Sequence, residues 1–210
     1  LMISVFNMVG RIFWASMSDF IGRKPTYFIF FSLGILLYLS IPFTAKAMSV
    51  DPIVTYLILF YAASMVIFTM YGGGFATIPA YLADIFGTKY VGGIHGRLLT
   101  AWSTAGVLGP VAITQLRQNS VDSAINDLVS KISPEKFTEI YGASVENLSL
   151  LVQEKTVTIS NLMPHMPEGT INPSTTLYNS TMFAMAGLLA IAFVANLLIG
   201  PVNEKHHMKE

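Results

Sequence analysis

Long apolar runs alternate with shorter polar stretches along most of this chain, and the runs predict its main elements. A helix rises about 1.5 Å per residue, so crossing about 30 Å of hydrocarbon takes about 20 apolar residues. Five runs reach that length or nearly so: Leu1 to Met17, Thr26 to Phe43, Ile53 to about Ala80, Leu98 to about Leu116, and Thr181 to Ile199. The pattern predicts an all-α integral membrane protein built as a helical bundle.

The first run is the shortest of the five. It begins at Leu1 without an initiator methionine, a basic leader or a cleavage site, so we expect the chain to begin inside a span. Five spans, the first of them clipped, do not readily close a bundle around a pathway. We therefore expect two partners for this chain, the lipid bilayer and a missing N-terminal half of the same protein.

Basic residues in the short loops set the orientation of the spans, because such residues collect on the cytoplasmic side. Arg23 and Lys24 follow the first run, Lys89 and Arg97 follow the third, and further lysines lie in the tail between 205 and 209. The alternation puts all three groups on one side. The predicted organisation is four spans in 1–116 with cytoplasmic loops at 18–25 and 81–97, an extracytoplasmic loop with short helices at 117–179, a last span at 180–200 and a cytoplasmic tail at 201–210. The expected membrane is the plasma membrane, the inner one in a cell with two.

The outer segment is polar and carries helix signals. Ser133 is suited to an N-cap, Pro134 to the first helical position, and Gly142 to the stop. This predicts a short helical cap, which is either a plain lid or a device that captures substrate. Apolar residues before it recur at helical spacing, at Val121, Ile125, Leu128 and Ile132.

Composition agrees with a membrane protein and excludes several classes of function. Hydrophobic residues make up 53% of the chain and charged residues 11%, against about a quarter charged in a soluble domain. The formal net charge is zero and no long basic block occurs, so nucleic acid is not expected as a partner. Cysteine is absent, which excludes disulfides and thiolate metal sites. The central parts of the spans hold no histidine or carboxylate, so no catalytic residue, metal or cofactor is expected.

Two stretches resemble a known family. The stretch "ASMSDFIGRK" is similar to the loop signature G-x-x-x-D-x-x-G-R-[RK] of the major facilitator superfamily, with Ala15 in place of the usual glycine and Phe20 in place of a basic residue. The stretch "GGGFATIPAYLADIFGTKYVGGIHGRLLTAWSTAGVLGP", 72–110, resembles the oxalate/formate antiporter family and its lactate-type monocarboxylate carriers. The resemblance implies spans eight to twelve, the C-terminal half of a twelve-span carrier that works by alternating access.

The charged loops suggest a conformational latch. Asp19 can pair with Arg23 only when the cytoplasmic helix ends are close, and such a contact biases two rocking states without freezing either. In the second loop, Asp84 is expected to pair with Lys89 and Arg97. The alternative is that the basic residues only enforce topology; a phosphate-binding loop does not fit the glycine spacing. The predicted latch residues are Asp19, Gly22, Arg23, Lys24, Asp84 and Arg97.

Arg11 is the candidate for substrate binding. An arginine inside a span costs at least about 2.5–3.5 kcal/mol, so it usually faces a cavity or a partner, and guanidinium can grip both oxygens of a carboxylate. The alternative is that Arg11 snorkels to the cytoplasmic surface. Aromatic walls for a small substrate are predicted at Tyr71, Phe75 and Trp102, although each of these can equally be packing filler.

Three packing features are also predicted in the spans. Ala101, Ala105 and Gly109 form a small-residue stripe expected to let helices approach closely. The glycines at 72–74 and Pro79 are expected to loosen the third helix, either as a packing kink or as part of a cavity wall. His95, at the start of the fourth span, is interpreted as an interfacial residue rather than a proton carrier.

The predicted function is secondary transport of small organic anions. The resemblance implies a second basic residue near Trp102 in oxalate carriers, and here that span has none between Arg97 and Arg117. Monocarboxylates such as lactate, pyruvate or formate are therefore favoured over oxalate. A carboxylate sensor that does not transport would share the same residues, and a membrane-embedded enzyme is the weaker alternative.

Overall fold

The computed structural model describes residues 2–50 and 53–200, and every regular element in these ranges is helical. The polar backbone groups of an apolar chain must be satisfied internally in a bilayer, and helices achieve this within a single segment. The prediction of an all-α chain is therefore confirmed for the described residues. The five long helices are α1 (Met2–Ile21), α2 (Arg23–Val50), α3 (Val54–Phe86), α4 (Val91–Val129) and α8 (Asn179–Leu198).

Three segments are both long and apolar enough to cross a membrane: α2, α3 and Pro173–Leu198, which contains α8. The other two long helices coincide with predicted spans but fall short of that apolarity. Asn7, Arg11 and Asp19 lower the hydropathy of α1, and serines, threonines and glycines lower that of α4. The described residues thus support three spans, and the count of five stays a prediction.

The long helices extend beyond the apolar runs, so the loops between them are shorter in the structure than the sequence predicted. Only Gly22 separates α1 from α2, with φ at +90°, where a side chain would be strained. Between α3 and α4 only 87–90 lie outside a helix, and α4 runs past 116 to Val129. Apolarity indicates membrane depth, whereas backbone hydrogen bonding decides where a helix ends. Leu1, residues 51–52 and the predicted tail at 201–210 lie outside the described residues.

Glycines bring α1 and α3 into close contact. A Cβ at Gly72 would lie 2.1 Å from the carbonyl oxygen of Asn7, and one at Gly10 would lie 2.1 Å from that of Thr69. A Cβ at Gly73 would lie 2.5 Å from Cβ of Trp14. α3 remains one continuous helix through Pro79, so these residues do not interrupt it, and the predicted kink stays a prediction. The glycines allow close backbone packing.

An aromatic cluster joins α1, α2 and α3. The Trp14 and Phe30 rings meet edge to face at 4.9 Å between centroids, and Tyr27 stacks on Tyr81 at 5.3 Å. The Tyr27 hydroxyl donates to the Gly74 carbonyl oxygen at 2.7 Å. The cluster fixes the spacing of the three helices on one side of the bundle.

The outer segment has its own apolar core. Ser133 Oγ accepts a hydrogen bond from the Lys136 amide at 3.3 Å, and Gly142 ends the helix with φ at +67°, so the predicted capped helix is confirmed. Its Phe137 side chain is fully buried against Leu128 and Leu162. The segment contains α5 (Pro134–Tyr141), α6 (Leu148–Gln153), α7 (Ile159–Leu162) and 3₁₀ turns at Val145–Asn147, Met163–His165 and Pro173–Thr175.

Much of the apolar surface of α1, α4 and α8 faces outward. Ile12 is 67% exposed and Val107 is 69% exposed. In the small-residue stripe on α4, Ala101 and Ala105 are exposed, and a Cβ at Gly109 would meet no described atom within 4 Å. The predicted close packing of this stripe is therefore not found within the described part of the chain. Surfaces of this kind suit lipid or another protein segment.

Candidate functional site

A charged cluster lies where α1, α2 and α3 end on the predicted cytoplasmic side. Arg23 donates through Nη2 to Asp19 and through Nη1 to the hydroxyl of Ser18, which is fully buried. Its Nε lies 3.7 Å from Oδ2 of Asp84. The guanidinium of Arg23, a residue of α2, thus connects a carboxylate of α1 with a carboxylate of α3.

This geometry corrects one predicted pairing. Asp84 pairs with Arg23 rather than with Lys89 or Arg97, because α3 stays helical to Phe86 and directs Asp84 toward the ends of α1 and α2. The Lys89 ammonium lies over the Tyr90 ring, 5.7 Å from its centroid. Arg97 is exposed on α4, and among the described residues its side chain forms no ion pair with Asp19 or Asp84.

Lys24 makes a second set of contacts at the same end of the bundle. Its Nζ donates to the carbonyl oxygens of Leu197, at 3.1 Å, and Ile199, at the end of α8. Asn196 Nδ2 donates to the Lys24 carbonyl oxygen at 3.3 Å, and the Tyr81 hydroxyl donates to Asn196 Oδ1 at 3.2 Å. These bonds join α2, α3 and α8. Sequence reasoning missed Asn196, although an amide inside the last apolar run was a usable signal.

Arg11 lies on the outward face of α1. It is exposed, and its Nε donates to Oδ1 of Asn7 one turn earlier, at 3.1 Å. The adjacent Gly10 contacts α3, so α1 packs against α3 through a face that does not include Arg11. The guanidinium therefore faces a surface that nothing else in the described chain covers.

The three predicted aromatic wall residues come together. The Phe75 ring lies edge to face with Tyr71 at 5.2 Å and with Trp102 at 5.3 Å between centroids. All three line one cavity of about 430 Å³ between α2, α3 and α4, closed on one side by Leu189 of α8. Arg11 belongs to α1 and is not among its lining residues.

The cavity has further walls that sequence reasoning did not assign. Tyr27, Tyr38 and the imidazole of His95 also line it. His95 Nδ1 is buried, and no group in residues 2–50 or 53–200 is hydrogen-bonded to it. His95 and Trp102 are seven positions apart on a helix and hence share a face, which was the available signal.

Comparison with known proteins gives one informative match. The chain is 31% identical over 106 residues to the oxalate:formate antiporter of Oxalobacter formigenes, which covers 50% of this chain and 23% of that protein. No protein-family model matches the chain, and no solved structure matches it significantly. The similarity is partial, and together with the three long apolar segments it is consistent with a membrane protein.

Proposed function

We propose that this chain is part of a secondary active carrier that moves small organic anions across a membrane by alternating access. The apolar helices and the similarity to an oxalate:formate antiporter support this class. The complete carrier is proposed to be of the twelve-span major facilitator type in the plasma membrane, with this chain as its C-terminal half. The matched segment is only 23% of the length of its relative, which leaves room for the remainder.

The single observation that carries the proposal is Arg11, a permanently charged side chain exposed near the middle of a largely apolar helix. Such a charge is expensive in a bilayer unless it faces a partner or a water-filled path. Its only side-chain partner in the described residues is the neutral Asn7, so the positive charge remains uncompensated there. A carboxylate substrate compensates it and is gripped in a defined orientation.

Monocarboxylates are the proposed substrates. α4 carries no basic residue between Arg97 and Arg117, so among the basic residues of α1 and α4 only Arg11 lies near the middle of a predicted span. One central positive charge balances a monoanion, whereas a dianion such as oxalate would leave one negative charge desolvated. Tyr71, Phe75 and Trp102 line a cavity that does not include Arg11, so they are not proposed as walls of the Arg11 site.

The proposed conformational latch is the cluster around Arg23. In the described structure Arg23 pairs with Asp19 and with Asp84, and we assign these pairs to a cytoplasm-closed state. Gly22 supplies the turn that lets α2 start directly after α1, and Lys24 ties α2 to α8. Arg97 is proposed as a latch member that engages only in another state.

The test is uptake of labelled lactate, pyruvate, formate and oxalate by proteoliposomes containing the full-length protein. Saturable uptake of the monocarboxylates, with at least about tenfold lower efficiency for oxalate, is the expected result, because a tenfold ratio corresponds to only about 1.4 kcal/mol. Liposomes with protein carrying Arg11→Ala are the negative control. Binding of a monocarboxylate without any flux would identify a sensor and contradict the proposal.

A further inference from the structure

The aromatic cavity between α2, α3 and α4 is poorly matched to the smallest carboxylates. Its volume of about 430 Å³ lies within the range of about 300–1,000 Å³ typical of sites for larger organic ligands. Formate or oxalate would leave most of it empty. Because nearly all of its lining is apolar, water is a poor occupant as well.

Aromatic rings dominate the walls in an arrangement that suits another ring. Phe75 already meets Tyr71 and Trp102 edge to face, with interplanar angles of 75° in both pairs. A planar aromatic or compact branched body adds to such a cluster with offset or edge contacts. The backbone at Gly74 borders the cavity and a Cβ there would meet no described atom within 4 Å, so this wall is open.

His95 provides the polar end of the cavity. Buried polar groups are nearly always hydrogen-bonded, yet Nδ1 of His95 is buried and has no partner in the described residues. The Tyr27 hydroxyl, which belongs to another lining residue, already donates to the Gly74 carbonyl oxygen and accepts from the Thr77 hydroxyl at 3.2 Å. The imidazole therefore retains hydrogen-bonding capacity for a ligand.

We infer that this cavity binds a monocarboxylate with an aromatic or branched apolar body, its ring packed against the Phe75–Trp102 pair and its carboxyl group hydrogen-bonded to the His95 imidazole. The inference rests on the proposed function, which supplies the carboxylate. It adds a binding site that is separate from Arg11. It also restricts the substrates or inhibitors of that site to monocarboxylates with an aromatic or branched apolar body.

The experiment measures the Kd of radiolabelled 3-phenylpropionate for the purified full-length protein by scintillation proximity. Gly74→Leu fills the open wall and His95→Leu removes the hydrogen-bonding group, and each should weaken binding at least about tenfold. Gly106→Leu is the matched control, because Gly106 is also open but does not line the cavity, and it should change Kd by less than about twofold. The neutral analogue 3-phenylpropanol should bind at least about tenfold more weakly than the acid.

Three results would overturn the inference: unchanged affinity in Gly74→Leu, equal affinity for the acid and the alcohol in the wild type, or no binding of 3-phenylpropionate while lactate uptake persists. The last result would leave the proposed function intact. Binding that depends on Gly74 and His95 without flux of any anion would instead support the cavity site and contradict the carrier.

Discussion

Arg23 is held by groups from two neighbouring helix ends, the Ser18 hydroxyl and Asp19 carboxylate of α1 and the Asp84 carboxylate of α3. Arg23 itself is mostly buried, whereas both carboxylates are more than 60% exposed. Each ion pair is therefore screened by solvent and worth under about 1 kcal/mol. That magnitude suits the proposed latch, which would open and close in each cycle of the proposed carrier.

Removing either carboxylate should favour the cytoplasm-open state. Asp19→Asn and Asp84→Asn are each expected to raise the labelling rate of a cysteine introduced at Ile85 by up to about fivefold, because each removes less than about 1 kcal/mol from the closed state. Ile85 packs against the aromatic cluster and is partly buried in the described structure. Asp127→Asn breaks the comparable Asp127–Lys131 pair in the outer segment and should leave labelling unchanged. Unchanged labelling in both test variants would refute the latch.

Tyr141 allows a second test at single residues. Its hydroxyl is buried without a partner among the described residues, and burial raises the pKa of Tyr141 above 10.0. The folded protein keeps the Tyr141 proton at a pH where the unfolded chain loses it. The contribution of this pKa difference to the free energy of unfolding is therefore fully present below about pH 10 and is lost as the pH rises further. Tyr141→Phe should not lower the unfolding temperature at neutral pH. It should make the fall in unfolding temperature above about pH 10 smaller than in the wild type.

Thermal unfolding in detergent, followed by circular dichroism at both pH values, checks this expectation. Tyr90→Phe removes a phenol that is 53% exposed and serves as the control. A clear fall in unfolding temperature for Tyr141→Phe alone at neutral pH would show that the hydroxyl contributes a hydrogen bond after all.

At the scale of elements, α3 organises the bundle through three consecutive glycines with different surroundings. Gly72 and Gly73 face α1 with no room for a Cβ, whereas Gly74 faces the cavity and has room. Helix propensity alone predicts that glycine is less favourable than alanine at each of these three positions. Packing reverses that expectation at two of the three positions.

Gly72→Ala and Gly73→Ala should therefore each destabilise the protein by about 1–3 kcal/mol, because the added methyl forces α1 away from α3. Gly74→Ala is the matched control and should be neutral or stabilising by up to about 1 kcal/mol. Unfolding in sodium dodecyl sulfate titrations of the full-length protein measures all three. Equal effects at the three positions would contradict the described α1–α3 interface.

At the scale of the whole molecule, local signals in the sequence predicted local structure well. Apolar runs located the five long helices, and Ser133, Pro134 and Gly142 gave the limits of α5, because capping depends on residues close in the chain. The Asp84–Arg23 pair and the Gly72–Asn7 contact were missed, since both depend on how α1, α2 and α3 are juxtaposed. Tyr71, Phe75 and Trp102 were predicted together and line one cavity, while the polar end at His95 was interpreted as merely interfacial.

The central claim is that Arg11 binds the carboxylate of a transported monoanion, and counterflow of labelled lactate in proteoliposomes of the full-length protein tests it most directly. Arg11→Ala should abolish counterflow, and Arg11→Lys should retain part of it, because lysine keeps the charge without the two-pronged grip. Arg117→Ala removes the same side chain outside the apolar spans and should leave counterflow near the wild-type rate. Counterflow at the wild-type rate in Arg11→Ala would contradict the account. It would mean that Arg11 only extends its charge to the membrane surface and does not bind the substrate.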